Sequence, residues 1–356
     1  MHPPGTRFSP ISPSGGALCG HQNDQAPRAA NFFATLRATF APTESLAMVE
    51  PLKLPYEVLT PYRAQIGESP LWSVVEQAIY WVDIEGRSLQ RLDWSTRTTA
   101  RWHLPERPGS IALISSGGLL VAMESGIFRF VPSLPVTTDS ALALHSGALE
   151  RLASVQFERT DMRFNDGRCD RAGRFWVSSM VLDTSLGIPA GALFRFDENG
   201  LSGPLLEGLI TGNGLACSPD GKTLYLADSN RNVQKVWTFE LDAAGALSNQ
   251  QVWVDFASLP GRPDGAAVDS EGCYWVCATD AGQVHRFRPD GVLERSLAVP
   301  FAKPTTCVFG GPNLDYLLVA SLQTAKPVEG FDAALAGALI ALQPGVRGLP
   351  ESLFNP

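Results

Sequence analysis

Positive charge is in short supply in this chain. Lys+Arg number 28 against 36 Asp+Glu, a formal net charge of −8 over 356 residues. A protein that binds nucleic acid by neutralising phosphates needs the opposite balance or a basic stripe, so that class is excluded. No run of about 18 apolar residues occurs, and nothing reads as a membrane span. Cysteines number six, too few for a disulfide framework in a chain of this length, and none falls in a CxxC pair. Cys273 and Cys277 share the strand-like segment GCYWVCATD. Four strand residues span roughly 13 Å, and a disulfide needs Cα atoms within about 7 Å, so these two cannot bridge each other. The five histidines are scattered, without zinc-finger or HExxH spacing. Unbridged thiols fit a reducing, cytoplasmic setting. Amphipathic helical patterns of about 10–15 residues between strands are almost absent, which argues against a TIM barrel or a Rossmann fold.

What the chain does have is apolar content and punctuation. It is 44% hydrophobic and only 18% charged, with 33 Gly and 27 Pro, a balance suited to a turn-rich, all-β protein with a large core. Residues 1–47 stand apart, with six Pro, four Gly, no Lys and no alternation. They read as a disordered leader or an upstream-start artefact, with Met48 as the physiological start and 48–356 as one domain.

Beyond about Tyr56 the sequence repeats. An aromatic-aliphatic strand, a tight turn and a second strand recur as AIYWVDIEGRSLQRLDW, GGLLVAMESGIFRFVP, GRFWVSSM, KTLYLADSNRNVQKVWTFELDAAG, GCYWVCATDAGQVHRFRPDG and DYLLVASL. Their starts are 39, 56, 49, 50 and 43 residues apart. Six units with a period near ~50 predict a six-bladed β-propeller with four antiparallel strands per blade. The strand YEVLT, ahead of the first complete unit, is expected to close the ring by pairing with the last blade. A closed ring leaves no long exposed edge and predicts a monomer.

A second repeat precedes each aromatic strand. Gly109, Asn165, Asn213, Asp264 and Thr305 each lie eight residues before the turn that follows, and Glu68 of GESPLW takes the corresponding place in the first unit to within about one residue. Equal offsets in equal blades put these residues on the strands that line the channel, so Glu68, Asn165, Asn213 and Asp264 should converge near its mouth. Carboxylates brought together at low dielectric repel and need a cation. Two carboxylates and amide oxygens, with no thiolate or imidazole, form a hard-oxygen site for Ca²⁺, Mg²⁺ or Mn²⁺, with Zn²⁺ or Fe²⁺ tolerated. Any one of NDG, NGL or PDG alone is more often a turn, and the registration across blades is what lifts them above that reading.

GESPLW, RFNDGR, the NGL of TGNGLACSPDG, PDGAAVDSEG, CVFGG and GVRGLP occur in this order. Together they resemble the gluconolactonase/regucalcin/luciferin-regenerating-enzyme family of six-bladed propellers over roughly Tyr56 to Pro350. The resemblance implies a divalent metal held by Glu68, Asn213 and Asp264, substrate contacts from Arg163 and Asn165, and an acidic lid residue at Asp183, which is Glu in regucalcin-like members. It implies hydrolysis of a sugar lactone, the metal polarising the carbonyl and Asp264 activating water. The alternative is a non-catalytic propeller that binds calcium or a small ligand. No GxSxG elbow points to serine hydrolase chemistry.

Other residues read as structural. Asp83 and Asp228 occupy matching places and are expected to satisfy backbone donors between blades, or to support site residues from behind. Trp81, Trp176, Trp237 and Trp275 are expected to wedge blades together. The segment VLDTSLGIPAGA, residues 181–192, is a long hairpin loop or a lid.

Overall fold

A computed structural model describes residues 50–133, 144–145 and 147–356; the expected leader over 1–47 lies outside them. The strands form six sheets, one per blade, and each blade runs outward from an inner strand. The inner strands are Gly67–Ser73, Ser110–Leu113, Met162–Cys169, Gly212–Cys217, Arg262–Val268 and Pro304–Gly310. The expected six-bladed β-propeller is what the chain forms.

The strand segments are apolar on both faces because each sheet is covered on both. Side chains alternate in direction along a strand, and each face of a blade packs on a neighbour. In Ala78–Asp83, Ile79 and Trp81 face blade 6 with Val308 and Leu318. Tyr80 and Val82, between them, face blade 2 with Ile111 and Val121. Six such clusters, one per blade interface, make up the core. Trp81, Trp176, Trp237 and Trp275 all sit in these wedges. Trp176 and Trp275 also donate their indole N–H groups to Asp170 and Asp269, at 2.9 and 2.8 Å. With its apolar mass between blades, the ring leaves its axis to polar groups.

Closure follows the sequence expectation. Tyr56–Val58 pairs antiparallel with Ile340–Leu342, and so supplies the outer strand of blade 6. Leu52–Lys53 adds in parallel to the outer edge of blade 5. The C-terminal segment makes a second seal that the sequence did not announce. It bonds the inner turns of blade 6 (Gly348 N to Leu314 O) and blade 5 (Ser270 N to Arg347 O), then those of blade 3 (Asn355 N to Gly173 O) and blade 2 (Ser115 N to Phe354 O). Those pairs of blades lie opposite one another in a ring of six, so the segment crosses the axis. Phe354 is buried and stacks on Phe196 with centroids 5.2 Å apart, and Glu351 pairs with Arg168 at 2.7 Å. These turns follow the inner strands, at the end opposite Glu68 and Asp264.

All five described cysteines are free and buried, so Cys273 and Cys277 are not bridged. No helix among the described residues is long and apolar enough to cross a membrane.

Removing residues 1–62 takes away the closing strand together with buried Leu59 and Thr60. The thermal midpoint is expected to fall by about 10 °C or more, whereas removing residues 1–47 leaves it unchanged. Equal midpoints for the two truncations, read by circular dichroism, would reject closure by this strand.

Candidate functional site at the mouth of the channel

Five of the six inner strands share an irregularity. Register slips between Glu68 and Leu71, Phe164 and Gly167, Asn213 and Ala216, Pro263 and Ala266, and Pro304 and Cys307. Such bulges turn consecutive side chains out of strict alternation. Here each falls on, or directly beside, a residue picked out by the repeat. Gly214 in the fourth-blade bulge has φ +64°, and an added Cβ would stand 2.4 Å from the Tyr274 hydroxyl, so glycine is required.

A hydrogen-bond relay crosses three blades at this end of the channel. Arg163 Nη1 donates to Asn165 Oδ1 at 2.6 Å, and Asn165 Nδ2 donates to Asn213 Oδ1 at 2.9 Å. Asn213 Nδ2 donates to Ser229 Oγ at 2.7 Å, and the Ser229 hydroxyl donates to the carbonyl of Pro263, beside Asp264. Each amide is thereby fixed in orientation, and Asn213 Oδ1 keeps a second lone pair for another partner. Asn165 Nδ2 also reaches Gly212 O at 2.8 Å, tying blade 3 to blade 4.

The carboxylates complete the mouth. Glu68 Oε2 accepts from the Thr306 hydroxyl and from Ser69 N. Thr306 comes that close because residue 265 is glycine: a Cβ there would stand 2.1 Å from Thr306 Oγ1. Asp166 Oδ2 accepts from Leu215 N at 2.8 Å. Asp264 is 8% exposed, and its carboxylate accepts no hydrogen bond among the described residues. Burial raises Glu68 to about 7; Asp166 pushes the same way, while Thr306 and Arg163 oppose. Glu68 keeps some exposure at the channel surface, but its carboxylate sits deep enough in the ring to lose most of its hydration. Asp264 is raised well above the usual carboxylate range, by burial first and then by the charge of Glu68, with Arg262 opposing. Arg163, also desolvated, is lowered to about 10 and remains charged. Charges from blades 1, 3 and 5 thus meet at this end of the channel: Asp166 acts on Glu68 and Asp264, Glu68 acts on Asp264, and Arg163 and Arg262 oppose them.

That donor set suits a divalent cation. It is all oxygen, its carboxylates outnumber Arg163, and Asp264, which most needs a partner, accepts no hydrogen bond among the described residues. A second acidic group brings Asp269, Glu271 and Cys273 within 4.8 Å of one another, but its cation is already present. Arg286 bonds Asp269 at 2.8 Å and Glu271 at 2.6 Å, and the Trp275 indole takes the same Asp269 oxygen.

The structure brings together Glu68, Arg163, Asn165, Asn213 and Asp264. Asp183 stands outside this group. It is exposed, and its Oδ1 accepts from Ser185 N at 3.0 Å and Ser185 Oγ at 2.6 Å, capping the short turn Thr184–Leu186. Asp83 accepts from Gln65 N and Ile66 N, and Asp228 from Ile210 N and Thr211 N. Each thus holds the backbone that leads into Glu68 or Asn213. Sequence reasoning missed Asp166, Thr306 and Ser229. The first two adjoin residues of the eight-residue register, and only the bulges bring them to the channel; Ser229 carries no repeat signal.

Fold and site define a six-bladed propeller with an oxygen-donor centre at one mouth of its channel. The chain belongs to the SMP-30/Gluconolactonase/LRE-like family, which it matches over residues 66–323. It is 36% identical over 291 residues to a 6-deoxy-6-sulfogluconolactonase of Pseudomonas putida, covering 81% of this chain and 94% of the relative. It is 30% identical over 296 residues to a pentonolactonase of Haloferax volcanii, covering 81% and 94%. A crystal structure of regucalcin from Agrobacterium tumefaciens, described as a calcium-binding protein, superposes with a TM-score of 0.74 at 25% identity, covering 85% of this chain and 98% of that one.

Ser229→Ala removes the hydroxyl that joins Asn213 to the Pro263 carbonyl. Affinity for a divalent cation, titrated calorimetrically, is expected to fall about 10- to 100-fold. Unchanged affinity would show that Asn213 needs no such support.

Proposed function

We propose that the protein hydrolyses a sugar lactone to its aldonic acid at this mouth, with a divalent cation held by Glu68, Asn213 and Asp264. The observation that carries the reading is Asp264: a carboxylate 8% exposed, without a donor among the described residues, and acted on by the charge of Glu68. Family membership and lactonases among the relatives that act on different sugars support the reaction class. Calcium binding by a structural neighbour supports the ion. An ion bound by these three residues supplies Lewis-acid polarisation of the lactone carbonyl.

The chain's own groups do the rest. Arg163 is anchored through Nη1 to Phe164 O and Asn165, while its Nε and Nη2 hydrogens bond no group among the described residues. They are the donors that orient lactone oxygens, in a fork whose geometry the anchored side chain fixes. Asn165, held on both sides, maintains that fork and presents Asn213. Water adds to the carbonyl carbon and its proton passes to a carboxylate oxygen of Asp264. The ring C–O bond then breaks and the ring oxygen leaves as a hydroxyl, returning the carboxylate to its starting state. Asp183 contacts substrate only when its cap on Ser185 opens.

A pH-stat assay over glucono-, galactono-, xylono- and arabinonolactone is expected to show hydrolysis that chelator abolishes and a divalent cation restores. Absence of hydrolysis with every ion tried would favour a calcium- or ligand-binding propeller instead. Asp264→Asn keeps an oxygen ligand and removes the proton acceptor, so kcat is expected to fall at least about 100-fold. Near-normal turnover would eliminate Asp264 from that role.

A further inference from the structure

Asp280 binds more positive charge than it can neutralise. Its Oδ2 accepts from Arg262 Nε and Arg231 Nη2, both at 2.8 Å, and its Oδ1 lies 2.9 Å from Lys303 Nζ. Among the described residues no other carboxylate pairs with three cations. The clustered pairs elsewhere run the other way: Arg107 holds Glu85 and Glu124, and Arg286 holds Asp269, Glu271 and Glu294. A surplus of two positive charges in one place, on a chain of net charge −8, goes against its composition. Holding Asp280 in place needs one partner rather than three.

The position of the surplus gives it meaning. Arg262 opens the inner strand of blade 5, two residues before Asp264, which is about 7 Å along a strand. Lys303 immediately precedes the inner strand of blade 6, and Arg231 lies in the turn between Thr223–Asp228 and Lys235–Leu241 of blade 4. All three stand at the end of the channel where the carboxylates converge. Arg262 also donates from Nη1 to Ser229 O at 2.9 Å, and the hydroxyl of the same serine holds Asn213. The cationic cluster is thus built into the frame of the carboxylate centre. Its donors are not used up. Lys303 has two ammonium hydrogens, and Arg262 both Nη2 hydrogens, without partners among the described residues; Arg231 is 74% exposed. Deep in the mouth, Glu68, Asp166 and Asp264 outnumber Arg163, and Arg262 of the rim acts on Asp264 as well. At the rim, three cations outnumber one carboxylate by two, and the ligand complementary to that is an anion.

We propose that Arg231, Arg262 and Lys303 form a subsite for a negatively charged substituent, a sulfonate, phosphate or carboxylate, at the end of the substrate remote from the lactone carbonyl. The substrate class is then an acidic sugar lactone. This rests on the lactonase reading for the identity of the other end, while the anion subsite itself stands on the cluster.

The test separates the two. Binding is measured calorimetrically with open-chain acids, which need no turnover: gluconate against 6-phosphogluconate, 6-deoxy-6-sulfogluconate and glucarate, in metal-loaded protein. At least one of the three acids that carry a second anionic group is expected to bind about tenfold tighter than gluconate, and which one does so identifies the group. The advantage is expected to shrink as salt rises from about 50 to about 500 mM and to fall about tenfold in Arg231→Gln and in Lys303→Met. In parallel, kcat/KM is compared for gluconolactone and its 6-phospho and 6-sulfo counterparts. Equal affinity for all four acids overturns the subsite, whatever the lactone assay gives. A preserved preference without hydrolysis of any lactone overturns the lactonase reading and leaves the subsite standing.

Discussion

Carboxylates from different blades facing one desolvated axis are what the rest of the site must accommodate. Burial raises the proton affinity of Glu68, Asp166 and Asp264; Asp166 adds to it at Glu68, both add to it at Asp264, and no donor among the described residues relieves Asp264. Such an arrangement survives only if the surrounding structure is too stiff to let the side chains turn away. The wedges supply that stiffness, since each blade is clamped on both faces by apolar side chains. The polar links between blades supply the direction. Thr305 bonds Gly67 O, Ser69 takes the N–H of Ile111, Asn165 reaches Gly212 O, and Ser229 reaches Pro263 O. Each bond lies at or beside a residue of the site, so the joints of the ring and the site are one set of groups.

The bulges explain how one architecture serves both purposes. A regular inner strand would point alternate residues at the two neighbouring blades and leave the axis lined by backbone. Slipping the register near the start of the strand turns a short polar pair toward the channel, while the rest of the strand stays in the wedges. Blade 2 shows the contrast: its inner strand, Ser110–Leu113, pairs without a slip, and its register position is Gly109. There the backbone comes too close to blade 3 for any side chain, because a Cβ would stand 2.3 Å from Phe164 O.

Much of this was legible in the sequence because repetition turns spacing into geometry. The period fixed the blade count, and a constant offset of eight residues brought out Asn165, Asn213 and Asp264, with Glu68 in the corresponding place. Spacing alone fails where the chain departs from regular pairing. The same offset named Thr305, but Thr306, one step further into the bulge, reaches Glu68. Asp166 was hidden beside Asn165 for the same reason. Asp183 illustrates a different limit, since a position in a loop says nothing about which local N–H its carboxylate will take. The three-cation cluster was invisible because its members come from three separate blades and share no motif.

The C-terminal strap gives the molecule a polarity that the ring alone lacks. Crossing the axis at the far end, with Phe354 sunk beside Phe196 and Glu351 locked to Arg168, it turns a tunnel into a blind well. Arriving and departing molecules then share one doorway. Whatever stands at that doorway governs release as much as capture, and water cannot be flushed through from behind.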